Sequence, residues 1–409
     1  MNQPSGRRYE LGLLALLTSA NGVVGLDRLT ASFLSPYIVA ELHLTNTQLG
    51  LLGASLSLAV ALSAFLLGRL ADATGRRKAI LVTATIIFSL GSALGGFAAG
   101  FGLLFLARFA LGLAEGPMVP LSQAAMAAAS APQRRGFNMG LMQMAGAFLL
   151  GAMIGPVLVT RIADAYGWRA AFFLSGVPGL LLALALALFM RDGPRPAPGT
   201  RSEPIGRVLA DLWRIRNMRL SLAIAALFSA WLMVQNVFLP VYLTQVKGLA
   251  PTTMGWVIGM GGLAGIIGGI GLPALSDRVG RRPVVAGACF AALAAPVALM
   301  LLPGEPVPLA IAILIGWLPI GMAPLFCAVI PSESVPASLV TSAIGLSMGV
   351  AELIGGVVAP FLAGQAADRF GLGATLWLCV ACTLAAGLFA LRLEETAPFK
   401  DATGPRSQV

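Results

Sequence analysis

Charge is scarce in this sequence. Asp, Glu, Lys and Arg make up 11% of its 409 residues, where a water-soluble domain carries roughly 25%. Such a chain cannot cover a globular surface with polar groups, so most of its surroundings must be apolar. Histidine is nearly absent: His43 stands alone, in an expected loop, which argues against a histidine-built metal site. The four cysteines, Cys289, Cys327, Cys379 and Cys382, all fall in apolar runs. Cys379-Val380-Ala381-Cys382 has redox spacing but no acidic or basic neighbour to activate a thiolate, so packing is the expected role. No nucleotide-binding loop, metal cluster or nucleophile–base set occurs, which excludes the common enzyme classes. The first apolar run carries charge at its middle and no small-residue cleavage pattern, so a removable leader is not expected.

What the chain does have is hydrocarbon. Apolar residues make up 57%, mean hydropathy is +0.87, and 49 glycines favour close helix packing in lipid. Crossing a bilayer takes roughly 20 apolar residues. Twelve such runs lie near 11–38, 47–70, 79–100, 102–128, 136–160, 169–190, 219–244, 252–274, 284–302, 306–329, 338–364 and 373–392. The expected fold is an all-α membrane protein. An N-terminal six-helix bundle covers 1–190 and a cytoplasmic linker rich in Pro, Gly and Arg covers 191–218. A second six-helix bundle covers 219–392, and 393–409 is a cytoplasmic tail.

Lys and Arg set the orientation. With both termini cytoplasmic, 21 of the 27 basic residues fall inside and four fall outside: Arg161, Arg169, Lys247 and Arg369. The remaining two, Arg28 and Arg108, lie within runs. This asymmetry predicts a multi-pass protein of the cell's inner (plasma) membrane with both ends cytoplasmic. It also accounts for the net charge of +10 without nucleic acid as a partner.

One charged hexad occurs twice. Asp72-Ala73-Thr74-Gly75-Arg76-Arg77 and Asp277-Arg278-Val279-Gly280-Arg281-Arg282 share the string D-x-x-G-R-R, 205 residues apart, about half the chain. Each reads as a tight turn between membrane helices, and their spacing implies two similar halves, a signature of secondary transporters. On these residues the chain resembles the major facilitator superfamily. Gly68 to Lys78 is similar to the superfamily's loop between helices 2 and 3, echoed between helices 8 and 9. Arg108-Phe109-Ala110-Leu111-Gly112 is similar to its helix-4 motif, R-x-x-x-G. The resemblance implies two six-helix bundles around a central cavity and alternating access, with no cofactor beyond a coupling proton and a monomer in the bilayer.

Leu26-Asp27-Arg28 and Ala114-Glu115-Gly116-Pro117 are similar to the anion:cation symporter family, which takes up organic anions with protons or sodium. The paired D-R and G-x-x-E also resemble spinster-type lipid transporters. Val60 stands where the sugar-acid branch of the symporters tends to place a tyrosine, which favours a less polar acid. The helix-5 motif of drug/proton antiporters is half present: Gly151, Gly155 and Pro156 match, while Val159 and Thr160 replace its final glycines. The leading expectation is proton-coupled symport of a small organic anion, a monocarboxylate or aromatic acid. The alternatives are a spinster-like lysolipid or lipid transporter and a drug/proton antiporter.

Five ionisable residues fall inside the runs: Asp27, Arg28, Arg108, Glu115 and Glu352. Such residues are costly in a bilayer and are functional candidates by default. Asp27 and Arg28 are adjacent, so on a helix they point about 100° apart. Arg108 and Glu115 share a face, about 10 Å apart along it. A network of Asp27, Arg108 and Glu115 is expected, serving proton coupling and leaving Arg28 free for a substrate anion. Carboxylates can carry protons, whereas Arg keeps its charge and can hold a carboxylate by two parallel bonds. A purely structural network is the competing reading. Glu352, between glycines, is open between a substrate contact, a second proton site and a structural group. Asn21, Asn138, Gln143, Gln235 and Asn236 are expected along the cavity. Tyr37 and Tyr242 are expected in the interfacial belt, and Glu333 is expected to pair with a loop arginine. Asp72, Gly75 and Arg76, with Asp277, Gly280 and Arg281, are expected as gating elements whose contacts break when the cavity opens inward.

Overall fold

The computed structural model describes residues 6–74, 76–131, 133–191 and 205–397, which contain no strand. Twelve helices are long and apolar enough to cross a membrane. They are α1 (Arg7–Phe33), α2 (Asn46–Thr74), α3 (Arg77–Gly96), α4 (Phe101–Ala129), α5 (Phe137–Tyr166) and α6 (Trp168–Phe189). The second half repeats the pattern with α7 (Arg216–Val246), α8 (Pro251–Val279), α9 (Arg281–Leu301), α10 (Pro306–Ser334), α11 (Val340–Phe370) and α12 (Gly373–Ala390).

The first apolar run, 11–38, is one expected span but two helices in the structure. α1 ends at Phe33, and a separate short helix runs over Ser35–Leu42 with Pro36 in its first turn. Proline lacks an N–H and its fixed φ suits a first turn, so it starts a new helix rather than continuing the old one. The described part of the segment between the halves holds a further helix, Ile205–Arg214. Its Leu212 is buried in a small apolar cluster with Met218, Leu222 and Ala343, while Leu209 and Trp213 are exposed. Tyr37 and Tyr242 both have a hydrogen-bond partner within the protein. Tyr37 donates to the Asp164 carboxylate, and the buried Tyr242 donates to the Leu299 carbonyl.

Among the described residues, the two halves pack together towards one side. By parity, both chain ends lie on one face of the bundle, and the halves pack together towards the other. There α2 crosses α11 so closely that a Cβ on Gly50 would lie 2.2 Å from the Pro360 carbonyl oxygen. α5 meets α8 with a Cβ on Gly262 only 2.4 Å from the Met153 nitrogen. The largest apolar cluster runs through both halves, joining Phe33, Leu34, Leu52 and Trp168 to Trp231, Phe238 and Ala363. Towards the chain ends the cores are separate: one cluster belongs to the first half and a smaller one to the second. Among the described residues, the cavity between the halves is therefore sealed at the far face and parted towards the termini.

One polar contact closes the seal. The Asp368 carboxylate on α11 accepts from the Asn46 nitrogen at 2.8 Å, the Thr47 nitrogen at 2.9 Å and the Thr47 hydroxyl at 2.6 Å. It caps the N-terminus of α2 from the other half, satisfying donors that no intrahelical carbonyl can reach and meeting the positive end of that helix. Asp368→Ala should remove about 0.5–2 kcal/mol from the sealed state, the range for losing such a cap. The measure is maleimide labelling of a cysteine placed at Ser32, beneath the seal. Faster labelling is expected, and unchanged protection would mean the cap adds nothing to closure.

Candidate functional site

Arg28 lies near the end of α1, five residues before Phe33, at the level where the shared core gives way to the parted cavity. One of its terminal nitrogens donates to Glu115 Oε1 on α4 at 2.6 Å, and the other donates to Glu352 Oε1 on α11 at 2.7 Å. The guanidinium therefore joins three helices and both halves. Its side chain is 22% exposed, with Glu352 at 23% and Glu115 at 6%. The expectation of a free Arg28 is corrected: it is occupied on both sides of its fork.

Arg108 explains why. It was expected to take Glu115, but it turns instead to the backbone of α1, donating to the Asp27 carbonyl at 3.2 Å and the Arg28 carbonyl at 2.6 Å. That leaves Arg28 as the cation Glu115 meets. The expected Asp27–Arg108–Glu115 side-chain network does not form. Asp27 points away from Arg28, as adjacent helical positions must, and is fully buried at the back of the first half. Its Oδ1 accepts from Ser92 on α3 at 2.6 Å and from Ser175 on α6 at 2.9 Å. Asp27 Oδ2, Arg108 Nε and Glu115 Oε2 have no hydrogen-bond partner among the described residues.

Glu352 sits where α11 widens from α- to π-helical winding, over Ala351–Val358. The counterpart helix of the first half, α5, widens likewise over Met144–Ile154. Such bulges re-aim side chains and recur at functional sites. On the sealed side of Arg28 lies a slot of about 30 Å³, lined by Ser32, Ser57, Arg108, Asn236 and Gly356 among others. That is room for a single water molecule.

Asn236 lines this slot, and its neighbour Gln235 does not. Gln235 is 1% exposed and accepts from the Trp317 indole at 3.1 Å, inside the second half. Adjacent positions on a helix cannot both face the cavity. Asn21 donates to the Leu17 carbonyl of its own helix at 2.8 Å and packs against Gly146 of α5 rather than lining the cavity. Asn138 donates to Glu10 at 2.7 Å and Ser130 at 2.9 Å, in a cluster where Arg134 also pairs with Glu10 at 2.6 Å. Gln143 lies on α5, with its side chain outside the described residues.

The duplicated turns differ in what can be seen. The Asp72 side chain and Gly75 lie outside the described residues, and Arg76 is an exposed residue just before α3. In the second half Gly280 turns the chain with φ 117°, a conformation that favours glycine. Arg281 pairs with Asp277 and with Glu333, the latter at 3.1 Å, and donates to Ser276 Oγ at 2.7 Å. Glu333 does meet a loop arginine, as expected. Every one of these partners belongs to the second half, and all the contacts stand while the cavity is parted on that side. The contacts of the first-half turn lie outside the described residues, so this cluster is described for the second half alone.

The sequence reading passed over Asp368, Ser57, Ser92 and Ser175. Single serines in apolar runs carry no pattern, and a carboxylate near a helix end reads as a surface residue. The pairing of Ser92 and Ser175 on Asp27 predicts a stability effect. Asp27→Leu should cost roughly 1.5–3 kcal/mol, the range for hydrogen bonds to a charged group, while Asp27→Asn keeps an acceptor and should cost less. Thermal unfolding followed by tryptophan fluorescence checks the order, and equal midpoints for both variants would show that the serines contribute nothing.

Comparison with known proteins agrees with this geometry. The family model described as Major Facilitator Superfamily matches residues 17–360. A probable sulfoacetate transporter of Cupriavidus necator is 28% identical over 68% of this chain and 66% of its own length. A gentisate transporter of Corynebacterium glutamicum is 28% identical over 88% of this chain and 81% of its own. Among solved structures, a bacterial homologue of the human lysosomal transporter spinster, inward-facing and unoccupied, superposes with TM-score 0.73. It is 19% identical and covers 95% of this chain and 94% of that one, a likeness of fold.

Proposed function

Because the chain belongs to the major facilitator superfamily, whose members are transporters rather than enzymes and need no cofactor, we propose that it is a proton-coupled symporter of a small organic anion. The observation that carries this reading is Arg28, a permanent cation held between the two halves at the floor of the parted cavity and faced by two carboxylates. A guanidinium binds a carboxylate or sulfonate by two parallel hydrogen bonds, which an ammonium cannot do. Arg28 is the anion receptor. Glu115 is the proton carrier: it is buried, it touches the receptor, and its Oε2 has no partner among the described residues. Protonating it removes a buried charge and releases half of the Arg28 fork to the substrate. Arg108 and Asp27 hold α1 in place for both. Asn236 and Ser57 supply neutral hydrogen-bonding groups beside the anion. The relatives' names, sulfoacetate and gentisate transporters, support an acid of this size. The basic residues clustered on the terminal face support a cytoplasmic opening in the inner membrane, with lipid as the only surroundings a monomer needs.

Two experiments test this. In proteoliposomes, adding gentisate or sulfoacetate outside should alkalinise the external medium, and Glu115→Gln should abolish accumulation while retaining counterflow exchange. Gln imitates the protonated acid, so the loaded carrier still reorients but no proton is delivered. Uptake indifferent to the proton gradient and dependent on sodium would refute the coupling. For the receptor, Arg28→Ala should weaken anion binding to the purified protein by about 2–5 kcal/mol, as for one partner of a buried charge pair. Arg28→Lys should restore little of it. Parent-like affinity in both variants, with normal size-exclusion profiles, would remove Arg28 from the site.

A further inference from the structure

The carboxylate of Glu352 holds the position that a substrate anion would take. We propose that Glu352 is an internal competitor of the substrate: in the empty carrier it latches α11 to Arg28 across the two halves, and an incoming organic anion must displace it. This rests on the reading of Arg28 as the anion receptor.

Four observations support the latch. The Arg28–Glu352 pair, at 2.7 Å, crosses from the first half to the second, whereas Arg28–Glu115 lies within the first. α11 runs from the terminal face to the sealed face, since its Gly364 packs on Asn46 and Thr47 at the seal. Glu352 therefore lies on the open side of Gly356 and of the slot that Gly356 lines. A ligand entering from the parted side meets Glu352 first, and the 23% exposure of its side chain against 6% for Glu115 agrees. Beyond Arg28 the slot is about 30 Å³, too small for a carboxylic acid, so a ligand cannot be held on that side of the guanidinium. Finally, the π-helical winding over Ala351–Val358 gives this stretch of α11 a strained alternative to plain α-helix, a means of withdrawing one side chain without moving the helix.

The charges facing Glu352 are Arg28 on α1 and Glu115 on α4, which shares the Arg28 fork, with Ser57 on α2 as a neutral polar group beside it at Gly356. Exchanging one carboxylate for another at Arg28 leaves the receptor's own charge balanced in both the empty and the loaded carrier. A cation in the bilayer interior is expensive without a counter-ion. The latch thus lets the empty carrier keep its halves together, and makes an anionic group the entry requirement for any ligand.

The test has a ligand-free arm and a ligand arm. In the ligand-free arm, maleimide labelling is measured at Ser32→Cys, which lines the slot on the sealed side, as the increment over protein without the added cysteine. Glu352→Gln should raise the labelling rate several-fold. Glu352→Asp keeps the charge but shortens the reach, so it should raise the rate as well and separates loss of contact from loss of charge. Protection unchanged in both variants overturns the latch. In the ligand arm, gentisate affinity of Glu352→Gln is compared with the parent by calorimetry. If the competitor fills Arg28 nine-tenths of the time, its removal tightens binding about tenfold. Weaker or unchanged binding would make Glu352 a substrate contact or a bystander and overturns the competition. If neither gentisate nor sulfoacetate binds the parent, the functional reading fails for these acids, while the labelling arm still decides the latch.

Discussion

One guanidinium, on Arg28, is shared between carboxylates from opposite halves of the molecule, and the arrangement around it follows from that sharing. An arginine inside a membrane helix costs up to about 2.5–3.5 kcal/mol on insertion scales unless it is compensated. Here it is compensated twice, by Glu115 within its own half and by Glu352 across the interface. The planar fork makes this possible, because its two terminal nitrogens point at different helices without either bond being bent. Arg108 contributes by not competing. Its donors go to the carbonyls of Asp27 and Arg28, which stiffens α1 at Arg28.

The second constraint is one-sided closure. On the far face the apolar core is continuous across both halves, backbones approach at glycines, and a carboxylate of α11 caps the first turn of α2. Towards the termini each half has its own core. The Arg28–Glu352 pair sits between these regions. Contacts that cross the interface have to be remade for the cavity to face the other way, and contacts inside a half do not. The Arg281–Asp277–Glu333 cluster is of the second kind, and so is the support of Asp27 by Ser92 and Ser175. Such buried polar groups fix helix positions, because an unsatisfied carboxylate in an apolar bundle costs more than a satisfied one returns.

Much of the architecture was legible in the chain itself. Hydropathy and the placement of Lys and Arg are properties of position along a sequence. Twelve spans, the basic asymmetry and the duplicated D-x-x-G-R-R turn could therefore be read without coordinates, and so could the small set of costly intramembrane charges. The break at Leu34–Ser35 was obscured because Pro36 lies within an unbroken apolar run. Partners were another matter. Arg28 meets Glu115 and Glu352 across 87 and 324 residues of chain, and which of two arginines meets a carboxylate depends on the rotation of α4 about its own axis. That rotation is set by packing against α1 and α2, so no spacing rule contains it. Asp27 facing Ser92, Gln235 facing Trp317 and Asp368 capping α2 were fixed in the same way. The sequence determined which charges had to be neutralised inside the membrane, because burying them unpaired is too costly. The tertiary structure decided which groups neutralise them, because only packed helices fix distance and direction.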